Sequence, residues 1–155
     1  MVGDGNRRSA DVDALVRQAL ADPDSGWWFA AVLEAFDYLE SEFGYCLAAV
    51  HRHFRGDFVR YEGPTLEVVI SYDPEDTGHI GAELWAREDL RVEPQQFRSV
   101  TVNHVLRGCD PTLRLPEITR GNKSRAEALD ALDTWSVGLR VAAPDVLLGE
   151  SPPGW

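Results

Sequence analysis

Between residues 10 and 43, apolar residues recur every three or four positions, the spacing of one face of a helix. This pattern predicts a first helix over 10–21 and a second over 25–43. Asp22 is expected to cap the start of the second helix, and Gly44 to end it in a left-handed conformation. The apolar stripe of the second helix comprises Trp28, Val32, Phe36, Leu39 and Phe43.

After Gly44 the apolar spacing changes to two, which is typical of strands with one buried face. Short turns containing Gly, Pro and Asp separate the alternating segments, as in hairpins. Consecutive strands joined in this way predict an antiparallel meander with one face covered by helices. The four predicted strands are 46–54, 58–62, 66–73 and 80–86.

The chain between the fourth strand and the last helix has little periodicity. The predictions here are a loop at 88–98, a short helix at 101–107 ended by Gly108, and an irregular segment at 110–122.

Ser124 and Glu127 have the spacing of a capping box, which predicts the start of a closing helix that Pro144 ends. Its predicted buried stripe comprises Ala128, Leu132, Trp135, Leu139 and Ala142.

Together these elements predict one α+β domain in which helices pack on a four-stranded antiparallel meander sheet. A chain of 155 residues with 44% hydrophobic residues is large enough for a single core and too apolar for global disorder. The predicted organisation is a flexible N-terminal arm at 1–9, the domain at 10–150, and a Pro-Gly tail at 151–155.

Charge and cysteine content narrow the function classes. The formal net charge of −11 argues against nucleic acid or an anionic membrane as the main partner. No apolar run reaches the roughly 18 residues of a membrane helix, and the N-terminus lacks a signal-peptide core. Two cysteines are too few for a disulfide framework, so a cytoplasmic location is expected.

The distribution of charge suggests a basic partner. No lysine or arginine lies between Arg17 and Arg52, whereas six acidic residues do. The segment is either an ordinary solvated helix face or an acidic patch that attracts a basic protein. The acidic residues are Asp22, Asp24, Glu34, Asp37, Glu40 and Glu42.

The predicted partner-binding residues are Trp27, Glu34, Asp37 and Tyr38 on the outer side of the second helix. Tyrosine and tryptophan supply binding energy at interfaces, whereas exposed carboxylates mainly raise the association rate. The alternative is that the first helix or the C-terminal tail covers these residues.

Candidate catalytic chemistry is sparse. His51 and His53 would share one strand face, but no third ligand has convincing spacing, so no metal and no cofactor is expected. Neither Cys46 nor Cys109 has a neighbourhood that favours a thiolate, and no nucleophile or phosphate-binding motif occurs. The sequence therefore favours a non-enzymatic protein-binding domain.

The sequence leaves open further hypotheses about function, oligomeric state and the environment of Trp85. The alternative function is a small-ligand-binding domain or an enzyme, with a pocket between the sheet and the 110–122 loop that uses His104, Tyr61 and Glu62. A homodimer formed through an open sheet edge is a third hypothesis. Trp85 falls on the strand face opposite Leu84, where either the C-terminal helix covers it or it is exposed for a partner.

Short motifs across residues 30 to 150 resemble those of a broad set of small uncharacterised bacterial proteins. Some of these resemble immunity proteins of polymorphic-toxin systems, and the resemblance implies a protein that neutralises a toxin. The net charge of −11 is what suggests that such a toxin would be basic. The pattern prefers serine where this chain has Gly63, and the 88–122 segment also departs from it. The motifs are Phe36-x-x-Leu39-x-x-x-Phe43-Gly44-Tyr45, Val59-Arg60-Tyr61-Glu62, Val68-Val69-Ile70-Ser71-Tyr72-Asp73, Val105-Leu106-Arg107 and Leu147-Leu148-Gly149-Glu150.

Overall fold

The computed structural model describes residues 9–53, 56–73, 79–87, 99–116 and 124–153. Within these ranges the chain forms helices at both ends and a sheet between them. The helices are α1 (Ala10–Leu20), α2 (Gly26–Ala35), α3 (Tyr38–Glu42), α4 (Val102–Cys109), α5 (Arg125–Ala142) and α6 (Pro144–Leu147). The strands are β1 (Cys46–His53), β2 (Gly56–Glu62), β3 (Leu66–Asp73), β4 (His79–Ala86) and β5 (Ser99–Thr101).

The predicted α+β class and antiparallel meander are confirmed, but the sheet has five strands in the order β1-β2-β3-β4-β5. The prediction of four strands is wrong because β5 is three residues long, too short to show an alternating pattern. Thr101 ends β5 and caps α4, its hydroxyl accepting from the backbone N–H of His104 at 3.2 Å. The helix predicted to end at Gly108 continues to Cys109.

One face of the sheet builds the core. Val59, Ile70 and Ala82 are cross-strand partners and are almost fully buried. They belong to the same apolar cluster as Trp135 and Leu139 of α5, so the helices cover this face.

Trp85 lies on the opposite face of the sheet from this core. It is half-buried, and its indole N–H donates to Glu83 Oε2 at 2.8 Å. The reading in which the C-terminal helix covers Trp85 is therefore wrong, because α5 packs on the other side of the sheet.

The second predicted helix is two helices. Phe36 leaves helical geometry (φ −104°, ψ 11°), and the Leu39 N–H bonds to the Phe36 carbonyl, a three-residue spacing. An unbroken helix would place Tyr38 on the outer side with Glu34. After the break, Tyr38 is instead buried against α5.

Two of the three predicted helix-boundary signals, Gly44 and the Ser124–Glu127 pair, are confirmed. Gly44 has φ of 74° and ends α3, a conformation that costs glycine little. Ser124 and Glu127 form both bonds of the capping box, each at 3.1 Å. The prediction that Asp22 caps the second helix is wrong, because Ser25 is the N-cap of α2; Asp22 Oδ1 instead accepts from the backbone N–H of Ser25 at 2.8 Å in the turn before the helix.

Some predictions fall on residues outside the described ranges. These are most of the N-terminal arm (1–8), the 88–98 loop, the end of the 110–122 segment (117–122), and the last two residues of the tail. In the part of the chain that the structure describes, no helix combines the length and apolar character needed to cross a membrane.

Candidate partner-binding surface

The four predicted partner-binding residues do not form one exposed patch. Glu34 and Asp37 are exposed and Trp27 is half-buried. Tyr38 is 6% exposed, so the expectation that its ring is accessible is wrong. The covering element is α5, rather than the first helix or the C-terminal tail.

Tyr38 joins α3 to α5. Its hydroxyl donates to the carbonyl oxygen of Ser136 at 2.6 Å, and its ring meets Phe43 edge-on with 5.8 Å between centroids. The Arg140 guanidinium lies 5.3 Å from the Tyr38 ring centroid and pairs with Glu42. Burial raises the pKa of Tyr38 well above its ordinary value, outweighing the opposite effect of Arg140.

Trp27 is anchored at a different place, by a different set of contacts. Its indole N–H donates to the Asp24 carbonyl at 3.0 Å, and its ring meets the Tyr72 ring edge-on at 5.7 Å. The Arg125 guanidinium lies over the Trp27 ring, 4.6 Å from its centroid. The Trp27 ring therefore contacts the end of β3 and the start of α5, and belongs to a cluster separate from the contacts of Tyr38.

A shallow groove lies where α2 packs against α5, and it contains Glu34. We call it the α2–α5 groove. It measures about 220 Å³, below the roughly 300–1,000 Å³ typical of small-ligand sites. Its lining residues are Ala31, Glu34 and Ala35 from α2 with Leu129, Leu132 and Asp133 from α5.

The charge of the groove is negative and is not neutralised by its own lining. Glu34 and Asp133 are exposed, and neither carboxylate forms an ion pair with a described residue. The arginines of α5 are engaged elsewhere, Arg140 with Glu42 and Arg125 over the Trp27 ring. A cation entering the groove would therefore meet two carboxylates without displacing an existing partner.

The exposed side of α5 adds apolar surface beside these charges. Leu129, Val137 and Val141 are 41%, 52% and 73% exposed. With Asp133 they recur every four residues, and so follow one side of the helix. An apolar strip interrupted by a carboxylate offers both apolar and charge-assisted contacts to a protein with apolar and basic residues.

The sequence predicted Glu34 as a binding residue but gave no such prediction for Asp133 or Leu129. The pairing of α2 with α5 brings together residues almost 100 positions apart, and no local pattern contains that information. The available signal was on α5 itself, where Leu129, Val137 and Val141 fall outside the predicted buried stripe.

The residues of the alternative pocket do not converge. Tyr61 and Glu62 are successive strand residues, so they point to opposite faces of β2. Tyr61 is buried in the core, Glu62 pairs with Arg60 and Arg87, and His104 is exposed on α4. These three side chains cannot line one pocket on one side of the sheet.

A second groove of about 370 Å³ lies between the β2–β3 turn and the C-terminal segment. Its lining contains one carboxylate, Glu150, and neither His104 nor Tyr61. It is therefore distinct from the predicted pocket at the 110–122 loop.

The other candidate residues are also placed. His51 is exposed and stacks on Phe58 at 5.4 Å, while the side chain of His53 lies outside the described part. Cys46 is half-buried and Cys109 is exposed, and no disulfide joins the two. Among the described residues, no three His, Cys, Asp or Glu side chains are grouped so that they could hold a metal ion.

Comparison with models of protein families, with curated proteins and with solved structures found no match to this chain.

Proposed function

We propose that this chain is a non-enzymatic protein-binding domain whose partner is a basic protein. The observation that carries the proposal is the α2–α5 groove, where carboxylates from two helices flank exposed apolar surface. The net charge of −11 supports the same partner class, because it attracts basic proteins over long range.

The groove supports a protein partner better than a free ion or a nucleic acid. Acidic side chains repel phosphates. Exposed Leu129, Val137 and Val141 offer the apolar contact that a small hydrated ion does not need. Charge then raises the association rate and apolar contact slows dissociation.

The resemblance to immunity proteins gives the proposal its specific form. In that form, the chain binds a basic toxin in the cytoplasm and blocks its activity. The acidic surface is suited to this task, because toxins that act on nucleic acids carry basic surfaces for the phosphate backbone.

Growth rescue tests this proposal. The product of the neighbouring gene is expressed in a bacterial host with and without this chain. We expect growth arrest by the neighbour alone and recovery on co-expression. Rescue should fail with the variant E34K/D133K, and persist with D13K/E150K, which makes the same charge change at exposed sites outside the groove.

Two outcomes would contradict the proposal in different ways. A neighbouring product that does not inhibit growth, or one that this chain does not counteract, would overturn the immunity role. Equal rescue by both variants would show that the α2–α5 groove is not the binding surface.

A homodimer through a sheet edge is a subsidiary hypothesis. The edges of the described sheet are β1 and β5. β5 offers only a three-residue edge, so a dimer formed by strand pairing would use the eight-residue edge strand β1.

A further inference from the structure

The α2–α5 groove combines an apolar lining with two exposed carboxylates from different helices. We infer that it receives a single lysine or arginine side chain of the partner. The alkyl part would lie on Leu129 and Ala31, and the cationic end beside Glu34 and Asp133. The inference rests on the proposed function for the existence of a basic partner and adds how that partner is recognised.

The dimensions of the groove fit this occupant. Two of its α2 lining residues, Ala31 and Ala35, have the smallest side chains that still carry a Cβ, which leaves room above them. The volume of about 220 Å³ is small for a ligand pocket and suits the insertion of one extended side chain. Lysine and arginine are the residues that place an alkyl stem on apolar surface while the charged end stays polar.

The electrostatics of the groove fit the same occupant. Neither Glu34 nor Asp133 is neutralised by a described basic residue. Charge-assisted hydrogen bonds from a guanidinium or ammonium to carboxylates are among the stronger polar contacts in proteins. A neutral side chain would leave both carboxylates without a partner in a desolvated interface, which disfavours it.

The groove is also held in place before any partner arrives. Leu132 is buried beneath it, and α5 is tied to the rest of the domain by two buried hydrogen bonds. Tyr38 donates to Ser136, and the Trp135 indole N–H donates to Asn103 Oδ1 at 2.7 Å. A preformed site loses less conformational entropy when it binds.

A titration followed by NMR tests the inference without the partner. The probe is N-butylguanidinium, with N-butylammonium as the lysine analogue and N-butylurea as the neutral control. We expect saturable millimolar shifts of backbone amides at 31–35 and 129–133 with at least one cation, and weaker binding of the urea. The variant E34Q/D133N should lower the affinity about tenfold or more, whereas D13N/E150Q, with matched chemistry, should not.

Shifts that do not saturate, or that spread over exposed carboxylates such as Asp13 and Glu150, would overturn the inference. Equal saturation by N-butylurea would overturn the role of charge in it. Failure here is distinguishable from failure of the proposed function. If the probes do not bind and growth rescue still depends on Glu34 and Asp133, the partner uses these carboxylates without inserting a side chain.

Discussion

The hydroxyl of Tyr38 donates a 2.6 Å hydrogen bond to the carbonyl oxygen of Ser136, 98 residues further along the chain. The bond is buried and joins the short helix α3 to the middle of α5. The helix is interrupted at Phe36, between α2 and α3, and this interruption directs the Tyr38 side chain towards the interior. The same contact removes Tyr38 from the predicted binding surface and fixes α5 near the α2–α5 groove.

Removing that hydroxyl should weaken the fold modestly. We expect Tyr38→Phe to lower the free energy of unfolding by about 0.5–1.5 kcal/mol, because one buried hydrogen bond is lost while the ring still packs. Tyr72→Phe is the control, since the Tyr72 hydroxyl forms no hydrogen bond with a described residue, and it should change stability by less than about 0.5 kcal/mol. Urea denaturation measures both, and equal effects would contradict the role of the Tyr38 bond.

Buried tyrosines should make the protein sensitive to alkali. Burial raises the pKa of both Tyr38 and Tyr45 above the ordinary value of 10.0. Above about pH 10 the unfolded chain releases these phenolic protons and the folded chain retains them, so stability is intact below that pH and falls as pH rises. In this range the free energy of unfolding falls by about 1.4 kcal/mol per pH unit for each tyrosine.

Unfolding free energies at pH 9 and pH 11 check this. The double variant Y38F/Y45F should start less stable and lose less stability between the two pH values than the wild type. The same loss in both proteins would show that other groups cause the alkaline sensitivity.

Gly63 should not tolerate a side chain. A Cβ at this position would overlap the Tyr45 ring, which is buried and held by its hydroxyl bond to the Leu147 carbonyl at 2.8 Å. We expect Gly63→Ala to destabilise the protein by about 1–3 kcal/mol through overpacking.

Gly108→Ala is the matched control for this substitution. Gly108 lies in α4 with no atom near its added Cβ, so alanine should stabilise the helix by up to about 1 kcal/mol. Thermal unfolding compares the two variants. A neutral Gly63→Ala would show that the Tyr45 ring can move aside.

Substitution of Asn103 should strongly destabilise the fold. Its Oδ1 accepts from the Trp135 indole, and its Nδ2 donates to the Pro116 carbonyl at 2.8 Å. Asn103→Ala would leave the buried Trp135 N–H without its acceptor and would remove the hydrogen bond to the Pro116 carbonyl. We expect the free energy of unfolding to fall by about 2–4 kcal/mol. The double variant N103A/W135F should lose less free energy of unfolding than the two single variants lose together, because the indole N–H is then absent. Additive losses in a double-mutant cycle would contradict the coupling.

Local patterns were enough to predict most of the fold. The change from helical to alternating spacing at Gly44 predicts where the helices give way to the sheet, and the Ser124–Glu127 pair predicts the start of α5. They were not enough for the break after Phe36 and the burial of Tyr38, because the competing contact at Ser136 comes from the far end of the chain. The groove could not be predicted for the same reason, since Glu34 and Asp133 line one groove only because α2 packs on α5.

Differential capture from cells that naturally contain this chain tests the central claim most directly. Three immobilised forms are compared at low and high salt: wild type, E34K/D133K and D13K/E150K. We predict a basic protein retained by wild type and D13K/E150K, released by salt, and absent from E34K/D133K. Retention of the same partner by E34K/D133K, or an acidic partner held equally by all three forms, would contradict the claim that the α2–α5 groove binds a basic protein.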